Sequence, residues 1–253
     1  MTDPNAGSRN APPGTSTAAL GRRNRLLAAL PGAEYRALIA RCDPVELAFG
    51  EVLCEAGERI RHVYFPLSGF ISLISSLHEG PRLEVGLVGA EGMLGAPIAL
   101  GVPVASLHAL VQGSGSALRV STSEFVRQLE RSMALRNVLN RYLYVRIGQL
   151  AQMAACARFH LVDARLARWV LMTRDRANSD TFRLTQEFMA MMLGVRRAGI
   201  TKAAGTLQGR GLIAYSRGSM AILDGPGLEV ASCSCYASGL ELYAARLGRR
   251  EPA

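Results

Sequence analysis

The stretch that decides the fold runs from Thr185 to Ala204 and reads TQEFMAMMLGVRRAGITKAA. Thr185 is a good N-cap, and Met189, Met192 and Leu193 place an apolar stripe at helical spacing behind it. Gly194 then stops the helix. Two helices that cross closely need a small residue at the crossing and a glycine in the turn, and Ala190 and Gly194 supply them. The second helix must send one apolar residue back into the crossing while its outer face stays polar. Ile200 does the first, and Arg196, Arg197, Thr201 and Lys202 form the second. The pattern predicts a helix-turn-helix, with a purely structural helical hairpin as its rival.

Working outward, the charge decides between the two. From Phe188 to Leu223 there is no Asp or Glu, while Arg196, Arg197, Lys202, Arg210 and Arg217 all lie inside. A solvated hairpin mixes signs for solubility, so a one-signed surface favours phosphate contact. Beyond the second helix, Leu212–Tyr215 and Met220–Leu223 flank Ser216-Arg217-Gly218-Ser219, which reads as a β-hairpin with Arg217 at its tip. That hairpin is a wing.

The whole chain fits this setting. Its 253 residues carry a net charge of +9 on a globular composition, 49% hydrophobic and 19% charged, and Lys202 is its only lysine. Such a balance points to a polyanionic partner. An anionic membrane surface is disfavoured, because Ala198, Gly199, Ala203 and Ala204 give the basic helix no bulky apolar face. Five cysteines without a disulfide-framework spacing, and no signal-peptide h-region, point to the cytoplasm.

Upstream, residues 1–21 are rich in Ser, Thr, Pro, Gly, Ala and Asn and are expected to be a disordered tail. Residues 22–122 read as two short helices followed by an antiparallel β-rich unit, with apolar runs at Val45–Phe49, His62–Pro66, Gly69–Ser75, Arg82–Val88 and His108–Gln112. Residues 123–159 read as one long helix. Along it Leu143, Ile147, Leu150, Ala154, Ala157 and Leu161 recur in steps of four and three, the seam of a paired helix or of one packed on its own domain. Residues 160–224 hold the helix-turn-helix and wing, and 225–253 form a C-terminal extension.

This order resembles the Crp/Fnr family of bacterial transcription regulators. The resemblance rests on Leu184-Thr185-Gln186-Glu187 opening the motif and Gly211-Leu212-Ile213 closing it. In the β-rich unit it rests on Gly50-Glu51, Glu55-Ala56-Gly57-Glu58, Tyr64-Phe65-Pro66-Leu67-Ser68-Gly69 and Gly92-Met93-Leu94-Gly95. It implies an α+β protein: an N-terminal antiparallel β-roll of the cyclic-nucleotide-binding kind, a long connecting dimerisation helix and a C-terminal winged helix-turn-helix. It further implies a homodimer on an inverted repeat of double-stranded DNA, with RNA polymerase as a further partner. Carried over by position, Arg197 reads guanine and Lys202 makes a second basic contact. Arg196, Thr185 and Arg217 are assigned to phosphates. Ala198 stands where several members use glutamate, so that base contact is missing.

The effector is less familiar. Members that bind cyclic AMP use Gly-Glu for the ribose and Arg-Ser or Arg-Thr for the phosphate, and here those places hold Gly95-Ala96 and Ala105-Ser106. No arginine or lysine lies between Arg82 and Arg119. The expected pocket, Gly92, Met93, Leu94, Gly95, Ala96, Ala105 and Ser106, is therefore read as lacking cations and unsuited to cyclic AMP in the usual mode. The alternatives are a cyclic nucleotide or dinucleotide in a non-standard pose, or a non-enzymatic interaction module with a vestigial winged helix. Cys42 and Cys54 read as small buried hydrophobes. Cys156 and His160, four apart on a helix, share a face and are able to complete a metal site with Cys233 and Cys235. The expectation is that these four stay separate, with no metal or other cofactor. His62, His78, His108 and His160 stand isolated in sequence, so no enzyme is expected.

Overall fold

The computed structural model describes residues 16–77 and 80–248, so His78 and most of the expected tail lie outside them. The tail ends earlier than expected: Thr17–Gly21 form a short helix (α1), and Gly21 is buried. Two more helices, α2 (Arg25–Ala28) and α3 (Gly32–Ile39), pack Leu26, Leu27, Tyr35 and Leu38 into the first core.

Five strands follow: β1 (Asp43–Leu47), β2 (Val52–Cys54), β3 (His62–Ser76), β4 (Arg82–Val88) and β5 (His108–Ser121). All pair antiparallel in the order β1-β5-β3-β4, with β2 also on β5. The runs His62–Pro66 and Gly69–Ser75 belong to one strand, kept continuous by register shifts against β5 between Pro66 and Ile71. Pro66 has no N–H to give the ladder, and Gly69 sits at φ +70° with carbonyl oxygens of Gly113 and Ser114 where a Cβ would stand. These shifts bend the long pair into a roll.

The expected single helix over 123–159 is two, α4 (Thr122–Arg131) and α5 (Met133–Phe159). Ser132 breaks it in extended geometry, and its hydroxyl accepts from the Leu135 N–H at 3.0 Å, restarting the helix as an N-cap. One face of α5, through Leu135, Val138, Leu139, Tyr142 and Val145, is buried. On the seam Leu143 is half-buried, while Ile147 (66%), Leu150 (43%), Ala154, Ala157 and Leu161 (75%) are exposed.

The second module comprises α6 (Val162–Ala177), β6 (Thr181–Arg183), α7 (Gln186–Leu193), α8 (Arg197–Gly209), β7 (Ile213–Ser216), β8 (Ser219–Ile222) and α9 (Gly225–Ala231). Its sheet runs β6-β8-β7. The extension ends in α10 (Cys235–Leu247), which lies on a different flank of α5 from the seam: Leu242 packs where Gly148 leaves room. Tyr243 at its far end donates to the Glu91 carbonyl at 2.6 Å under the Arg25 guanidinium. Among the described residues no helix is long and apolar enough to cross a membrane.

Candidate functional site

The recognition geometry is built locally. The Thr185 hydroxyl accepts from the Phe188 N–H at 3.1 Å and starts α7. Gly194 ends it at φ +61°, a left-handed conformation that glycine adopts without penalty, and the Val195 N–H returns to the Ala190 carbonyl. Ile200 is fully buried between the helices, with Ala190, Ala203, Ala204 and Leu207 around it. That packing turns Arg196, Arg197, Thr201 and Lys202 outward, and all four are exposed, as is Thr185. The Thr201 hydroxyl donates to the Gln186 side-chain oxygen at 3.0 Å, a cross-tie between the helices that residue spacing does not reveal. In the wing, Arg217 (φ +48°) and Gly218 (φ +78°) make the two-residue turn that suits the twist of its strands, leaving the Arg217 side chain exposed. None of Arg196, Arg197, Lys202, Arg210 and Arg217 has a carboxylate partner among the described residues.

In the β-roll a cavity of about 170 Å³ opens beside Met93, Leu94, Gly95, Ala96, Ala105 and Ser106. Gly92 does not line it and instead lies against the Tyr142 hydroxyl. The expectation of a cation-free pocket is corrected. Arg59 and Arg61, from the turn before β3, and Arg146, from α5, also line the cavity, and all three come from outside the segment between Arg82 and Arg119. Arg146 donates to the Leu87 carbonyl at 3.0 Å, which fixes it against β4. His62 and Cys54 also line the cavity. Burial pushes the Cys54 thiol up, and burial with Arg119 and Arg61 nearby pulls His62 down, so near neutral pH both favour their uncharged forms. Cys42 is buried as expected, and its thiol is pushed up to about 12, whereas Cys54 is only half-buried. His108 is not isolated, since its Nδ1 lies 2.7 Å from a Glu55 oxygen.

The two modules share a core. Ile74 of β3 packs with Leu166, Trp169 and Leu184, and Glu84 of β4 is buried against α6. One Glu84 oxygen lies 2.8 Å from the Trp169 indole nitrogen and the other 2.6 Å from the Ser72 hydroxyl. Burial raises this carboxyl to about 7, in spite of those two hydrogen bonds and nearby Arg176 and Arg168. Arg176 pairs with Glu91 at 2.7 Å across the same boundary.

One expectation fails outright. Cys156, His160, Cys233 and Cys235 are not separate, because their ligand atoms all lie within 4.8 Å of one another.

Comparison with known proteins agrees with this architecture. Residues 44–132 match the cyclic nucleotide-binding domain and residues 164–231 match the Crp-like helix-turn-helix domain. A transcriptional regulator of the crp/fnr family from Eubacterium rectale is similar at 18% identity and TM-score 0.64, over 81% of this chain and 96% of that one. FixK2 from Bradyrhizobium japonicum is similar at 14% identity and TM-score 0.64, over 76% and 98%. The c-di-GMP-responsive global regulator CLP of Xanthomonas campestris is similar at 14% and 0.62, over 76% and 99%. No curated protein matches at a significant level. A β-roll of the cyclic-nucleotide-binding type followed by a winged helix-turn-helix defines a two-domain DNA-binding regulator. The chain belongs to the Crp/Fnr family of transcription regulators.

Proposed function

We propose that the protein is a cytoplasmic homodimer that binds an inverted repeat in duplex DNA and controls transcription there together with RNA polymerase. The observation that carries this reading is the unpaired, acid-free basic surface on α8 and the wing. Residues 22–122 sense, 123–159 pair the subunits through Leu143, Ile147, Leu150, Ala154 and Ala157, and 160–224 bind DNA. Exposure of Ile147 and Leu150 on a long helix supports the pairing, since large apolar side chains in a row are covered in stable assemblies. Arg197 reads guanine with its forked guanidinium, Lys202 and Thr201 flank it, and Thr185, Arg196 and Arg217 hold phosphates.

The effector is not cyclic AMP in the usual mode. Ala96 offers no carboxylate to a ribose, Ser106 has no arginine before it, and about 170 Å³ falls below the roughly 300–1,000 Å³ of pockets for drug-sized ligands. A second reading, a cyclic nucleotide or dinucleotide held in another pose at the cavity mouth, draws support from Arg59 and Arg61 there. The Xanthomonas relative, described as responsive to c-di-GMP, makes that a reasonable class to try.

The test is selection of bound duplexes by the full chain, followed by affinity measurement on the selected site with and without cyclic AMP. The expected site is an inverted repeat with half-site centres about 34 Å apart, bound with strong salt dependence and unchanged by cyclic AMP. Arg197→Ala is expected to lose roughly 1–3 kcal/mol of discrimination at one base pair per half-site. Salt-independent binding that Arg197→Ala leaves intact would sink the DNA reading, and micromolar, stoichiometric cyclic AMP binding would overturn the effector reading.

A further inference from the structure

The C-terminal extension and the joint between α5 and α6 carry a cluster that DNA binding does not use. Cys156 lies in the last full turn of α5, and His160 caps that helix, its N–H bonded to the Cys156 carbonyl. The return from α9 brings Cys233-Ser234-Cys235 beside them, held by the Cys233 N–H on the Ala164 carbonyl of α6. Three of the four are buried, and His160 is half-exposed.

We propose that Cys156, His160, Cys233 and Cys235 form a structural Zn²⁺ site. The spacing is the first ground. Tetrahedral zinc with Zn–S near 2.3 Å and Zn–N near 2.0–2.1 Å sets sulfurs about 3.8 Å apart and a sulfur about 3.6 Å from a nitrogen. Here Cys156 Sγ and Cys233 Sγ are 3.6 Å apart, and Cys235 Sγ and His160 Nδ1 are 3.5 Å apart. A disulfide would account for two of these side chains and leave the other two unexplained.

Ligand chemistry selects the metal. Three thiolates and an imidazole are a soft, closed tetrahedral set, the kind zinc takes in structural rather than catalytic sites. A span of 4.8 Å admits a single ion and leaves no room for an iron–sulfur cluster with its bridging sulfides.

Charge is the second ground. A dication with three thiolates carries one net negative charge. Arg165 and Arg168 of α6 are both buried, and neither has a carboxylate within ion-pair distance among the described residues. The Arg168 Nε has no hydrogen-bond partner there. A thiolate-rich centre beside α6 supplies countercharge to Arg165 and Arg168, the latter of which also lies near the Glu84 carboxyl. Arg165 also donates to the Leu193 carbonyl at the end of α7, so the centre is one side chain away from the turn of the helix-turn-helix. With ligands on α5, on the joint and on the extension, the ion would brace the angle at which the DNA-binding module leaves the long helix.

The full chain purified without chelator is expected to contain about one zinc per subunit by elemental analysis. The metal-stripped protein titrated with Co²⁺ is expected to show thiolate-to-cobalt charge transfer with the intense visible bands of tetrahedral cobalt. The variants are His160→Gln, at the one ligand that is not buried, and Cys235→Ser, and circular dichroism checks that they fold. Each folded variant is expected to lose zinc and to weaken or shift the cobalt bands. Three results would overturn the site: wild-type zinc content equal to that of the folded variants, a cobalt spectrum of octahedral type, or one that His160→Gln leaves unchanged.

Discussion

The winged helix and the β-roll pocket place their arginines by opposite routes. In the winged helix the outward-facing side chains offered to DNA all lie between Thr185 and Arg217, and the burial of Ile200 at the helix crossing helps to decide which side chains of α8 face out. In the pocket, Arg59 and Arg61 arrive on a turn, residues 93–95 on a loop, Ala96 and Pro97 on the short 3-10 helix that follows it, Ala105 to Leu107 on another loop, and Arg146 on a helix that begins some forty residues after Gly95. A count of charges along a segment therefore succeeds for the first region and fails for the second. What matters is whether the site's span in sequence matches its span in space.

The strongest challenge to this contrast is Ile200→Ala. If the helix crossing is the local keystone, removing a fully buried isoleucine there lowers unfolding free energy by about 2–5 kcal/mol. Urea titration followed by the fluorescence of Trp169, which stacks edge-on to Phe188 of α7, reads the change directly. A decrease below about 1 kcal/mol would mean that the crossing is not what orients α8.

Next in size is a test of the boundary where both regions meet. The Glu84 carboxyl is raised by burial to about 7, so the folded state holds its proton when the unfolded chain has released it. Stability from this group is full at acid pH, falls as pH rises from the ordinary carboxylate range, and is gone once pH passes about 7. The whole change is on the order of 3 kcal/mol. Glu84→Gln copies the protonated acid, since its amide oxygen accepts from Trp169 while its NH₂ donates to Ser72. Chemical denaturation at pH 5 and pH 8 is expected to show a smaller pH difference in the variant than in the wild type. An equal difference in both would place the pH dependence elsewhere.

How much of the molecule is legible in the sequence follows from the same contrast. Thr185, Gly194, Ile200 and the Arg217-Gly218 turn each declare themselves by residue type at fixed offsets, so the helix-turn-helix and wing are readable. Ser132 escapes notice because the apolar pattern continues across it, and only its extended backbone and the bond to Leu135 reveal the break. β6 is invisible because a three-residue strand has no periodicity to show. The run Gly69–Ser75 looks separate from His62–Pro66 because glycine normally punctuates, whereas here it carries a bulge inside one strand. The cysteine cluster is visible as pairs, Cys156 with His160 and Cys233 with Cys235. Their meeting depends on where α9 turns back toward α5, which no local spacing encodes.

The smallest expected effect separates two kinds of arginine on the one legible surface. Arg197 sits in the first turn of α8, where a side chain in the major groove meets base edges, whereas Arg217 rides on a tip whose backbone is left-handed at two successive residues. With Arg217 assigned to phosphate, Arg217→Ala is expected to weaken binding by a similar factor on specific and scrambled duplexes. It is also expected to lower the slope of log affinity against log salt by about one for each phosphate that Arg217 neutralises. Arg197→Ala differs in kind, because its effect concentrates on the specific duplex. Measuring both variants on both duplexes over a salt series gives four slopes. If Arg217→Ala changed the ratio of specific to scrambled binding as much as Arg197→Ala does, the wing would be reading sequence, and the assignment of Arg217 to phosphate would fall while that of α8 stood.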